Sequence, residues 1–139
     1  MLIKQTTDVT CAPSALISIA NVLGIKHSWQ EMSLANELGC TSEDGTTLKA
    51  MGEFAVNNLS ANSFGEFSWD GVSPTLAVIT DERLEVKKRT HAVLILAVVG
   101  EYMVKYCPFF GDITLIHKNK FLEIHHSEDF NYKQWSINF

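Results

Sequence analysis

The chain has 139 residues, 46% of them apolar and 19% charged, which suits one domain with its own core and leaves no room for a second. A net charge of −5 and a pI near 5.4 run against the clustered Lys and Arg that phosphate binding needs, so nucleic acid is not an expected partner. Three cysteines, at 11, 40 and 107, are an odd number without paired spacing, which points to reduced thiols and a reducing, cytoplasmic setting.

In chain order, Met1 to Thr10 lacks the apolar core of an export signal. The segment from Gln5 reads QTTDVTCAPSALISIANVL, in which polar Thr6, Thr7, Asp8 and Thr10 give way at Cys11 to Ala15, Leu16, Ile19, Ala20 and Leu23 at helical period. Pro13 falls in the first turn. Cys11 therefore opens a helix, where free backbone N–H groups and the positive end of the dipole favour a thiolate, the reactive form of the residue. Taken alone, Cys11 reads more readily as a small buried core cysteine than as a nucleophile. A second helix is expected from a Ser28 cap through Leu38, with Glu31 at the reciprocal capping position and Gly39 as its stop. Ser42, Glu43, Asp44 and Gly45 read as a tight polar turn, with a metal held by its two carboxylates as the weaker alternative. Thr46 then opens a third helix whose apolar face is Leu48, Met51, Phe54, Ala55 and Leu59.

From Phe64 onward the period changes. The runs PTLAVI from Pro74 to Ile79, HAVLILAVV from His91 to Val99, YMVKYC from Tyr102 to Cys107 and ITLIH from Ile113 to His117 read as strands bounded by turn and charged residues. Helices followed by an antiparallel sheet predict an α+β domain spanning 1–139. The basic run Lys87, Lys88 and Arg89 is balanced by Asp81, Glu82 and Glu85, and the longest apolar run, Ala92 to Val99, is too short to insert in a membrane. Tyr132, Trp135 and Phe139 give the end of the chain enough apolar surface to pack on the body. His125 and His126 are adjacent and so diverge, while His27 and His117 have no partner at ligand spacing, so neither a metal nor another cofactor is expected. No GxxxxGK[ST] loop is present.

A cysteine at a helix start and a lone His91 at a strand start resemble a family: the C39 peptidases, papain-like cysteine proteases known as leader-cleaving domains of peptide exporters. The family opens with Gln, six residues before a Cys that is followed by Gly, a small residue and, later, Ala. Gln5, Cys11 and Ala15 keep that frame, with Ala12 where Gly is usual. The stretch TSEDGTTLKAMGEFAVNNL from Thr41 to Leu59 matches the Gly-containing turn and third helix, and Thr90, His91 and AVLILAVV match the strand that carries the base. The last signature is an Asp-Pro step with a nearby Gly, and Cys107, Pro108 and Gly111 stand there, so the Asp is missing.

The resemblance implies a papain-like fold, with N-terminal helices packed on an antiparallel sheet, and a cysteine peptidase cutting after a Gly-Gly type pair. It implies Cys11 as nucleophile, His91 as base and then acid, and Gln5 as a side-chain donor to the oxyanion beside the Cys11 N–H. The orienting acceptor for His91 is left open between Asp112 and a backbone carbonyl, with Cys107 as a redox handle for the site a further possibility. The implied substrate is a leader peptide whose amphipathic helix docks in an apolar groove. In a toxin-effector variant it is instead a Gly-Gly site in a target protein, accompanied by an inhibitor or immunity protein. Such domains commonly occur fused to a transporter or delivery module. Two other classes compete: a non-catalytic peptide-binding module, favoured by the absent Asp, and a Cys/His acyl transferase or amidase acting on a non-protein substrate.

Overall fold

A computed structural model describes residues 1–43, 45–66, 74–80, 90–125 and 135–139. Three helices lead, α1 (Cys11–Val22), α2 (Glu31–Glu37) and α3 (Leu48–Asn58), followed by strands β1 (Ser63–Glu66), β2 (Thr75–Thr80), β3 (Thr90–Val99), β4 (Tyr102–Cys107) and β5 (Asp112–His117). Helix α4 (Lys118–His125) and strand β6 (Trp135–Asn138) complete the described elements. The strands form one sheet in the order β1-β6-β2-β3-β4-β5, every neighbouring pair antiparallel. The fold is therefore the α+β papain-like arrangement that the sequence implies.

Alternation along the strands sorts the apolar side chains to two faces. Leu76, Val78, Ala92, Leu94, Tyr106, Trp135 and Ile137 face α1 and α3, whose Leu16, Ile19, Phe54 and Ala55 complete the larger core. Ala77, Ile79, Val93, Ile95, Met103 and Cys107 face the other way and are covered by Phe121 of α4, with Ile124 packed at its edge. A sheet buried on both faces explains why β2 and β3 read as unbroken apolar runs rather than alternating ones.

Several boundaries differ from the sequence reading. Ser28 is not the cap of α2: Gln30 is, and its N–H donates to Ser33 Oγ at 3.3 Å. Glu31 makes no reciprocal cap because its carboxylate is taken by the segment that leads into α1. Helix α3 begins at Leu48, capped by Thr47, whose hydroxyl accepts from the Ala50 N–H at 3.1 Å, so Thr46 lies outside it. Gly39 does stop α2, at φ 72°, with the Cys40 N–H reaching back to Ala35 O. Helix α4 and strands β1 and β6 were not anticipated. Strand β6 lies inside the sheet, between β1 and β2, and buries Trp135 and Ile137, while Phe139 just beyond it also packs on the body. Asp44, His126, Tyr132 and the charged stretch 81–89 lie outside the described residues.

Two glycines allow close approaches that shape the molecule. A Cβ on Gly52 would sit 2.3 Å from the Phe64 ring, so α3 closes on β1 only because that position is bare. Gly111, at φ 68°, turns the chain from β4 into β5 against the stem of Lys4.

Candidate active site

The first ten residues form an arm laid across the molecule. Ile3 N–H donates to Ser18 Oγ of α1 at 2.9 Å, the Tyr106 hydroxyl of β4 donates to Ile3 O, and Gln5 N–H donates to Pro108 O at 3.0 Å. Those bonds bring Gln5 against the Cys107-Pro108 step at the end of β4. The Gln5 side chain is buried, and its Nε2 donates to Thr7 O at 2.7 Å. That bond fixes which end of the amide is nitrogen and engages one of its two N–H donors. Gln5 Oε1 is buried without a hydrogen-bond partner among the described residues.

Cys11 is the first residue of α1, half-buried, with the N–H groups of Ala92 and Ala12 within reach of its sulfur. Burial pushes its thiol up from the ordinary value, and the two amides pull it down by less. Burial thus opposes the thiolate that the helix start favours. Residues 11, 40 and 107 are all free thiols. Cys40 donates to Val9 O at 3.4 Å.

His91 is buried near the start of β3, opposite Ile79 of β2, one residue from the Ala92 amide that faces Cys11. Its Nε2 lies 4.0 Å from Cys107 Sγ. The ring of Phe109 lies alongside at a centroid distance of 6.5 Å. Cys107 thus sits where the resemblance places an acceptor for the imidazole. Burial pushes its thiol up as well, despite the Phe110 and Phe109 N–H groups and the charge of Lys105. A neutral thiol at that separation is a weak partner for an imidazole. Asp112 begins β5 as the register partner of Cys107, one position across the ladder. The fold therefore gathers Cys11, His91, Cys107 and Asp112 at the same end of β3, β4 and β5, with Gln5 tied to the neighbouring turn.

His125 and His27 lie elsewhere. His125 is buried in α4, its Nε2 against Trp135 O at 3.1 Å and Ser136 Oγ at 3.0 Å, and burial lowers its pKa to about 4. It is a neutral histidine that ties α4 to β6. His27 stacks on Trp29 and meets Asn21 Oδ1 at 2.7 Å.

One residue of the site escaped the sequence reading. Glu31 accepts from Thr6 N–H at 2.7 Å, Thr6 Oγ1 at 2.5 Å, Thr10 Oγ1 at 2.6 Å and Ser14 Oγ at 3.1 Å. The signal was present: hydroxyl residues at 6, 10 and 14 recur every fourth position across the Cys11 helix start, with an acid opening the next helix. Partial burial raises the Glu31 carboxyl, and the hydrogen bonds from Thr10, Thr6 and Ser14 outweigh it, leaving its pKa below the ordinary value.

The sheet order, the helix that opens on Cys11 and the strand that carries His91 define the class: the chain has the C39-like peptidase fold. It is similar to the peptidase domain of Streptococcus ComA, a bi-functional ABC transporter involved in a quorum sensing pathway, at 18% identity over 98% of this chain and 94% of that one, TM-score 0.68. It is similar also to a double glycine motif protease from an AMS/PCAT transporter, solved with the leader peptide, at 12% identity over 99% and 88% of the two chains, TM-score 0.69. The peptidase domain of Streptococcus mutans ComA gives 16% identity, coverage of 98% and 95%, and TM-score 0.58. No family model and no curated protein matches the sequence. Among the described residues, no helix is long and apolar enough to cross a membrane.

Proposed function

We propose that the chain is a cysteine peptidase that cuts after a Gly-Gly type pair, in a leader peptide or in a target protein. The observation that carries this reading is that, at the end of β3, Cys11 Sγ reaches the Ala92 amide next to His91 in the chain, and Cys107 Sγ stands 4.0 Å from His91 Nε2. The reaction begins with general-base attack. His91 takes the thiol proton as the sulfur adds to the scissile carbonyl, and the resulting oxyanion is met by the Cys11 N–H and the second N–H of Gln5 Nε2. The C–N bond then breaks, the imidazolium hands its proton to the departing amine, and water hydrolyses the thioester to regenerate the thiol. A peptide substrate follows from this chemistry, and fusion to an exporter, or an inhibitor protein where the target is a folded protein, belongs to the same reading.

The weak 4.0 Å contact to Cys107 favours a second reading, a slow or inactive peptide-binding module. One substitution separates the two. Cys11→Ala is expected to abolish cleavage of a Gly-Gly peptide with no change in thermal midpoint, since Ala suits a helix start. Equal cleavage by the variant contradicts the peptidase reading, and a native chain that binds the peptide without cutting it supports the module.

A further inference from the structure

We infer that Glu31 is a positioning residue for the catalytic segment: its carboxylate holds residues 6–14 so that Gln5 and the N-terminus of α1 converge on one oxyanion. The inference rests on the peptidase reading for its rate consequences and on geometry alone for its structural ones. A carboxylate offers about four lone-pair sites, and here four donors from Thr6, Thr10 and Ser14 approach it. Those donors span the loop from the residue after Gln5 to the first turn of α1, on either side of Cys11. Charge-assisted bonds of this kind are roughly twice as strong as neutral ones.

The arrangement has a consequence at the helix start. Thr10 is the N-cap of α1, yet its hydroxyl makes no capping bond to the helix amides. It donates to Glu31 at 2.6 Å and meets Thr7 Oγ1 at 2.8 Å instead. An ordinary Thr cap would occupy the amides of the first turn. Glu31 draws the cap hydroxyl aside, Pro13 contributes no donor, and Ser14 N–H closes on Thr10 O at 3.2 Å. The N–H groups of Cys11 and Ala12 are thereby left to the sulfur and to substrate. The chain continues from this anchor through Thr7, whose carbonyl holds the Gln5 amide. One side chain of α2 thus sets both proposed oxyanion donors.

The test uses the whole chain with Glu31→Ala, Glu31→Gln and Thr10→Val, each alone and combined with Gln5→Ala. On a Gly-Gly peptide, Glu31→Ala should lower kcat about a hundredfold with KM within a factor of two, the loss expected when reacting groups drift by about an ångström. Gln5→Ala should then cost less than about threefold further, against two to three orders of magnitude in the native background. A full Gln5 effect in both backgrounds, or a native kcat in Glu31→Ala, overturns the inference. Amide exchange gives a readout independent of cleavage. Thr6 and its neighbours to Ser14 should lose protection in Glu31→Ala, and less so in Glu31→Gln, while β4 and α3 keep theirs. Unchanged protection at Thr6 overturns the inference even if no peptide is cut, whereas lost protection in a chain that never cleaves upholds the clamp and removes only the peptidase reading. Should Glu31→Ala fail to fold, Thr10→Val and Glu31→Gln carry the same comparison.

Discussion

The two halves of the candidate site are held very differently. On the nucleophile side, one carboxylate accepts four hydrogen bonds, none longer than 3.1 Å, and the arm before Cys11 is pinned to α1, β4 and the following turn. On the base side, one contact at His91 Nε2 is a thiol 4.0 Å away. The difference separates a loop before Cys11 that is fixed at many points from a histidine whose Nε2 has the Cys107 sulfur nearby at 4.0 Å. On the proposed peptidase reading, a site so held keeps its oxyanion stabilisation and gives up part of its general-base efficiency.

The largest effect short of removing the nucleophile should come from the well-held side. Gln5→Ala should lower kcat by about two to three orders of magnitude with KM nearly unchanged, the loss typical of one oxyanion donor. Steady-state kinetics on a Gly-Gly peptide check this, and an effect confined to KM would move Gln5 from catalysis to substrate recognition.

A smaller effect asks whether the base side is weak only at the Cys107 contact or loosely packed throughout. His125 belongs to α4, which covers the same face of the sheet as Cys107, and its pKa is lowered to about 4 from an ordinary 6.5. A histidine held neutral leaves stability intact above about pH 6.5 and removes it progressively as pH falls toward about 4, on the order of 3 kcal/mol in all. His125→Gln keeps an N–H for Trp135 O and should flatten that part of the pH dependence. Denaturant midpoints at pH 7 and pH 4.5 test it: an equal acid loss in both proteins would mean that α4 is not held through a neutral imidazole and that the face is looser than its packing implies.

Much of this architecture was legible in the sequence, for reasons that particular elements make plain. Helix α1 and strands β2 to β5 carry their own signals, a 3.6-residue apolar period or an apolar run with clear punctuation, and their bounds fell within a residue or two. Strands β1 and β6 do not. SFGE and WSIN are four residues each, and their order comes from pairing with one another across the sheet, Ser63 opposite Asn138, a contact between distant parts of the chain that no local window contains. Helix α4 was missed because only Phe121 and Ile124 mark its apolar face on the sheet, amid Lys, Asn, Glu and His. Within the site, the placement of Cys107 at His91 followed the order of motifs. The burial of Cys11 did not, since a helix start can be seen in sequence but how far it is covered cannot. Glu31 was misassigned for a related reason: its spacing from Ser28 suggested a local cap, and the hydroxyls that claim it come from α1 and the arm before it.

The central claim, that the base side limits this site, is tested most directly by Cys107→Asp. The carboxylate would stand at the imidazole nitrogen now facing sulfur and stabilise the imidazolium. The account predicts about a tenfold rise in kcat on a Gly-Gly peptide, with Asp112→Ala in the native background changing it by less than about threefold. No gain from Cys107→Asp together with a sharp loss in Asp112→Ala would contradict it, because His91 would then already be held by Asp112.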